Sequence, residues 1–205
     1  MNESPNLYTA FIGQRCLGDS GDLAVLARAI KQAQDAGDKN TVLVFDEDSK
    51  AVEMDLRGSL SAVLKRLSST AETAAPAAAP AEKPGRGRPR LGVTAREVTL
   101  LPRHWEWLNQ QPGGASVALR KLVEEARRAQ QPRDRARRSQ EAAHRFMTAM
   151  CGDLPDYEEA LRAFYAGNKR SFSRLTTGWP QDVRDHARKL AARALNDAAN
   201  ASAPA

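Results

Sequence analysis

Thr41-Val42-Leu43-Val44-Phe45, Asp46-Glu47-Asp48-Ser49-Lys50 and Ala51-Val52-Glu53-Met54-Asp55-Leu56 follow one another without a break, and the fold turns on how they are read. The first five residues predict a continuous apolar strand. The polar five predict a turn. The alternating Val52, Met54 and Leu56 predict a returning strand, so the whole reads as a hairpin. Upstream, Tyr8-Thr9-Ala10-Phe11-Ile12 is a second β-rich run. Between the two, Leu23, Leu26, Ala27 and Ile30 recur at helical spacing, with Ser20 as the expected N-cap and an end near Gly37. A short helix over 60–67 closes the block. Strand–helix–strand–strand–helix over residues 7–67 describes a small α/β domain, and the whole chain is expected to be α+β.

The chain has 205 residues, enough for one ordinary domain or two small ones. Its net charge of +6 is unevenly spread. Residues 1–82 carry 8 Lys and Arg against 12 Asp and Glu, residues 83–145 carry 15 against 6, and residues 146–205 carry 8 against 7. A basic middle third is the electrostatic footprint expected of a nucleic-acid binder. Cys16 and Cys151 stand far apart in no metal-ligand spacing, which favours a reducing cytoplasm. The first seven residues are polar and no run approaches eighteen apolar residues, so neither a signal peptide nor a membrane span is expected.

Residues 68–92 are rich in alanine, proline, threonine and glycine and show no apolar periodicity. Such a stretch buries too little surface to offset chain entropy and is expected to be a disordered linker. Its far end reads Pro84-Gly85-Arg86-Gly87-Arg88-Pro89-Arg90-Leu91. This Arg-Gly-Arg-Pro core resembles an AT-hook, the peptide that lies along the minor groove of A·T-rich DNA. Glycine lets the backbone press to the groove floor, and proline holds the chain extended. Arginines then point along a groove whose negative potential is enhanced at A-tracts. The resemblance implies minor-groove contacts by Arg86, Gly87, Arg88, Pro89 and Arg90. The plain alternative is a chance meeting of these residue types in a linker.

In residues 93–131, Arg96-Glu97-Val98-Thr99-Leu100-Leu101 is a strand candidate closed by Pro102, which opens a helix carrying Trp105 and Leu108. That helix stops at Pro112-Gly113-Gly114. Ser116 begins a longer one with Leu119, Leu122, Val123 and Ala126 as its apolar stripe, running to about Gln130. Strand, short helix, glycine turn and longer helix resemble a ribbon–helix–helix module, in which two chains pair their strands in the major groove. The resemblance implies a homodimer through residues 96–130. One feature departs from the pattern: counting back from Pro102 turns Leu100, Val98 and Arg96 outward, a poor set for polar base readout. Trp107, on the other side of its helix from Trp105, is left for a dimer partner, the N-terminal domain or neighbouring helices.

Residues 132–195 predict a helical C-terminal region. Arg133, Arg135, Arg137 and Arg138 open a helix ending at Cys151-Gly152, and Tyr157, Ala160, Leu161 and Phe164 stripe the next. A short helix with Phe172 and Leu175 follows, then a last one opened by Pro180, and residues 196–205 form a frayed tail. Candidate phosphate contacts are Arg103, Arg120, Lys121, Arg127, Arg128, Arg133, Arg135, Arg137 and Arg138. A solvated helical face is the bland alternative. However, like charges within a turn repel by roughly a few tenths of a kcal/mol per pair, which a phosphate backbone would relieve.

Catalytic patterns fit poorly. Gly18-Asp19-Ser20-Gly21 has the look of a nucleophilic-serine turn, but the three histidines lie in other predicted segments. Asp46-Glu47-Asp48 with Asp55 fails as a cation loop because Lys50 and Ala51 stand where an EF-hand needs an oxygen ligand and a glycine. No Gly-rich phosphate loop, paired-cysteine site or paired-histidine motif occurs, so no enzyme, cofactor or metal is expected.

Phe45-Asp46, Asp55-Leu56-Arg57-Gly58-Ser59, residues 87–93, the run from Arg96 to Ser116 and Trp179-Pro180-Gln181-Asp182-Val183-Arg184 together resemble a bacterial family of unknown function, over nearly the whole chain. That resemblance implies no activity. The residues themselves point to a cytoplasmic, regulatory or architectural protein whose partner is double-stranded DNA, A·T-rich by preference. The alternative is a protein–protein adaptor without nucleic-acid affinity. RNA binding is a weaker third reading, since no aromatic stacking platform is evident.

Overall fold

The computed structural model describes residues 7–74, 94 and 96–202. Their α+β organisation agrees with the sequence. The chain divides into two units, one made of residues 1–74 with 132–205 and the other of residues 75–131.

In the first unit, β1 (Tyr8–Ile12) sits at the centre of a three-stranded antiparallel sheet, between β2 (Arg15–Ser20) and β3 (Val42–Phe45). Tyr8 pairs with Ser20 on one side, and Thr9 pairs with Phe45 on the other. The β1–β2 turn needs Gly13, whose φ is +55° and whose missing Cβ would lie 3.2 Å from the Asn40 side chain. Helix α1 (Leu23–Asp35) joins β2 to β3 and buries Leu26 and Ile30 against Ala10 and Val44. Helix α2 (Leu60–Ala74) follows β3.

The opposite face of the sheet carries Phe11 and Phe45, and it is covered from the far end of the chain. Phe146, on the long helix α4 (Gly114–Cys151), lies 5.5 Å from Phe11 and 5.4 Å from Phe45 between ring centroids. α5 (Tyr157–Tyr165), α6 (Lys169–Leu175), a turn of 3-10 helix (Thr176–Gly178) and α7 (Gln181–Ser202) complete this core. They bring in Phe164, Phe172, Trp179, Val183 and Ala187. Both faces of the sheet are therefore covered, which is why β3 is apolar throughout rather than alternating. Each large side chain buried here contributes about 1.5–3 kcal/mol. The segments read from sequence as 7–67 and 132–195 share this one core.

Several expectations are corrected. The sheet's third strand is Arg15–Ser20, not the run 51–56. Beyond β3, an isolated Phe45–Ala51 bridge, an Asp46 N–H to Lys50 carbonyl bond of 2.9 Å and a Val52 N–H to Val44 carbonyl bond of 2.7 Å continue the hairpin. The chain then turns off, because the Asp55 carboxylate takes the Arg57 guanidinium at 2.8 and 3.0 Å, and Arg66 of α2 donates to the Asp55 carbonyl at 2.9 Å. Ser20 ends β2 rather than capping α1. The cap is Asp22, whose carboxylate accepts the Ala24 N–H at 2.8 Å while its own N–H donates to the Ser20 hydroxyl at 3.0 Å. Residues 68–74, assigned to the linker, belong to α2, and residues 196–202, assigned to the tail, belong to α7. The remainder of the expected linker, 75–92, lies outside the described residues.

In the second unit, Pro102 opens α3 (Pro102–Asn109) at its first position, preceded by Leu101 in extended conformation. Gly113 and Gly114, with φ of +88° and +76°, make the turn into α4, and a Cβ at Gly113 would sit 3.1 Å from Val117. Residues 96–101 belong to no strand of the single chain. Pro132, expected to separate two helices, lies inside α4. Proline removes the amide that would bond the Arg128 carbonyl. Residues 127–135 are exposed, so water can serve that carbonyl instead.

Candidate nucleic-acid interface

The candidate phosphate-binding residues all lie on α3 and α4, and all are exposed. Arg103 occupies the second position of α3. On the part of α4 in the second unit, Arg120 and Arg127 are seven residues apart, two helical turns, and share one flank of the stripe Leu119, Leu122, Val123 and Ala126. Arg128 lies behind that stripe. The Arg120 Nε donates to the Ser116 carbonyl at 3.1 Å, while Glu124 is shared by Arg127 at 3.1 Å and Arg128 at 3.5 Å. One carboxylate serving two guanidiniums leaves that patch positive. Lys121 completes it.

In the first unit, Arg133 and Arg137 share one side of α4 by their four-residue spacing, and Arg135 and Arg138 share another by their three-residue spacing. The run is thus two pairs of cations rather than one patch. Arg137 is tied to Asp134 at 3.2 Å. Arg133, Arg135 and Arg138 have no carboxylate partner among the described residues. Arg145, further along the helix, turns inward: it donates to the Asp48 carbonyl and lies 3.3 Å from Glu141. The hook-like residues Arg86, Gly87, Arg88, Pro89 and Arg90 lie outside the described residues.

A second polar cluster, not anticipated from sequence, lies where β2 meets α7. The Asp19 carboxylate receives the Thr9 hydroxyl at 2.9 Å and the Lys189 ammonium at 3.0 Å. Beside it, the His186 ring packs between Phe11 and Phe146, at 5.5 and 4.5 Å between centroids. Burial holds the His186 pKa below its ordinary value, with Asp19 pulling the other way. Burial also raises the Cys16 thiol, and it pushes Cys151 up to about 12. Thiols shifted upward are poor nucleophiles at neutral pH. The cluster's only sequence signal was Asp19 in a turn-like tetrapeptide. Arg193 and Glu47, 3.2 Å apart, add a further tie between the halves of this unit. Among the described residues no group of three His, Cys, Asp or Glu side chains is placed to hold a metal ion, and no helix is long and apolar enough to cross a membrane.

The recurring stretches singled out in the sequence take structural roles where they are described. Asp55 to Ser59 is a turn closed by the Asp55–Arg57 pair, with Gly58 at φ +82° and the Ser59 hydroxyl accepting the Ala62 N–H at 3.4 Å. In Trp179 to Arg184, the indole of Trp179 donates to the Pro155 carbonyl at 2.8 Å and Val183 is fully buried. Asp46 likewise spends a carboxylate oxygen on the N–H groups of Asp48 and Lys50, at 2.9 and 2.8 Å.

A family model described as an uncharacterized protein conserved in bacteria (DUF2239) matches residues 7–191. No curated protein and no solved structure matches the chain.

Proposed function

We propose for this chain, which belongs to the DUF2239 family of uncharacterised proteins conserved in bacteria, a non-enzymatic role in binding double-stranded DNA. The observation that carries the reading is the set of exposed arginines on α4, four of which, Arg120, Arg133, Arg135 and Arg138, have no carboxylate partner among the described residues. Arg135 and Arg138, three residues apart on one side of α4, repel each other, and none of these guanidiniums has a carboxylate to offset its charge. Phosphates supply the missing counter-charge, and binding releases their condensed cations. Contacts of this kind position a protein on the duplex without reading bases. Sequence preference falls instead to Arg86, Gly87, Arg88, Pro89 and Arg90, whose residue types suit a narrow A·T-rich minor groove. The extended lead into Pro102, the two-glycine turn and the helix that follows support a ribbon–helix–helix-like module, although its strand parity places Val98 and Leu100 where base-reading polar residues are wanted.

Fluorescence anisotropy of the full chain with A·T-rich and G·C-rich duplexes across a salt series tests this. Tighter A·T binding with a steep salt slope is the expected result. Arg86→Ala with Arg88→Ala should remove the A·T preference while leaving much of the salt-dependent affinity. Equal affinity for both duplexes defeats the minor-groove assignment, and no binding at low salt defeats the function.

A further inference from the structure

The second unit is poorly buried for its composition. Among its described residues only Leu108 and Ala118 are buried, while Val98 is 55% exposed, Trp107 50% and Val123 63%, with Leu101, Trp105 and Leu122 exposed as well. Large apolar side chains left together in water mark a surface that another protein covers. The charges around the centre of α4 indicate what covers it. Arg120-Lys121-Leu122-Val123-Glu124-Glu125 carries two cations before an apolar pair and two anions after it.

We propose that a second copy of this chain covers this face, in an antiparallel, two-fold pairing of α4 centred on Leu122 and Val123. A two-fold axis through that centre brings the Leu119–Leu122–Val123–Ala126 stripe of each copy against the other's. It sets Arg120 of one copy alongside Glu124 of the other, and Lys121 alongside Glu125, each pairing occurring twice. A parallel pairing would set the cations of one copy level with those of the other, and the anions level with the anions. An unrelated partner would not require the inverted order of charges that self-pairing uses. The same copy also supplies residues 96–101 with the antiparallel neighbour they lack in the single chain. Trp107, exposed on the other side of α3 from Trp105, adds a large apolar side chain for the second copy to cover. This pairing needs no DNA; it takes Arg120 and Lys121 from the candidate phosphate contacts and leaves Arg133, Arg135 and Arg138 to the DNA-binding reading.

Sedimentation equilibrium of the full chain without nucleic acid tests it. The expected result is a dimer of two 22.4-kDa chains. Leu122→Glu with Val123→Glu should yield a monomer whose far-UV circular dichroism still shows the first unit folded. Lys121→Glu alone should weaken the dimer about tenfold, since each exposed pair it breaks occurs twice. Adding Glu125→Lys to it should restore the affinity. A wild-type monomer at every concentration, a dimer indifferent to the Leu122/Val123 change, or no rescue by the double charge reversal would each overturn the proposal.

Discussion

The backbone N–H of Cys16 donates to the Asp182 carboxylate at 2.8 Å, tying an edge strand to the first turn of a helix 166 residues away in sequence. An anionic side chain there is favoured by the helix dipole, and the strand amide it accepts would otherwise lack a partner at the sheet edge. The bond therefore serves two elements at once. With Lys189 on Asp19 and Arg193 on Glu47 it forms a line of ties along α7, so the acidic beginning of the chain rests on the basic residues near its end.

Asp182→Ala should consequently destabilise the first unit by about 1.5–3 kcal/mol, the range for hydrogen bonds to charged groups, and Asp182→Asn by less. Urea denaturation followed by circular dichroism measures both. A change within experimental error would show that the strand amide is served equally well by water.

Phe146 is the aromatic ring that meets both sheet phenylalanines, and it is fully buried. Phe146→Ala should cost about 3–5 kcal/mol and leave a cavity between α4 and the sheet. Because residues on both sides of that cavity belong to one core, unfolding of the wild type should be a single transition. The variant should unfold at lower denaturant, and two separated transitions in the wild type would contradict the shared core.

How much of this was legible in the sequence follows from where the information sits. β1 and β3 announce themselves as continuous β-rich runs, and α1 and α5 by apolar residues at helical spacing. β2 does not: Arg15, Gly18, Asp19 and Ser20 are poor strand formers, and β1 imposes their pairing through the Gly13 turn. The run 51–56 shows the reverse, an alternating pattern drawn away from β3 by the Asp55–Arg57–Arg66 contacts. Pro132 misled because proline usually ends a helix, whereas α4 runs through it in a stretch whose residues are all exposed. The cations of α4 could be named from sequence, and their helical spacing already separates the pairs Arg133/Arg137 and Arg135/Arg138. The docking of α7 on β2 rests on contacts between distant residues, which no local pattern encodes.

His186 gives the first unit a pH dependence of known sign. Its folded pKa is lowered by burial, so the unfolded chain binds the proton more tightly and stability rises with pH. The contribution is fully present above the ordinary histidine value of about 6.5 and is lost as pH falls below it through the lowered folded value. Asp19 and Lys189 face the ring with opposite effects, which leaves burial dominant. His186→Phe, which keeps an aromatic ring between Phe11 and Phe146, should flatten the loss of thermal stability between about pH 7 and 5. An unchanged slope would assign the effect to other groups.

The two thiols should differ in accessibility but share low reactivity. Cys151 is fully buried, which pushes its pKa up to about 12, while Cys16 is half-buried and burial raises its thiol too. Titration of the native protein with a thiol reagent at neutral pH should label Cys16 slowly and Cys151 only on unfolding, as expected when the thiolate is the reactive species. Rapid labelling of Cys151 in the native protein would mean that α4 and α5 open readily.

Arg133, Arg135 and Arg138 separate folding from binding. Since they are exposed and bear no carboxylate partner among the described residues, replacing all three with alanine should leave stability nearly unchanged, within about 0.5 kcal/mol per site. If each neutralises a phosphate, the same triple variant should reduce the salt slope of DNA binding by about 0.9 for each arginine removed, and equally for A·T-rich and G·C-rich duplexes. Arg137→Ala offers the internal contrast, because it also leaves the existing Asp134 carboxylate uncompensated near the DNA backbone. It should therefore weaken binding more than any one of the other three. A triple variant that binds with the wild-type slope would remove α4 from the interface while leaving the hook-like segment open to its own test.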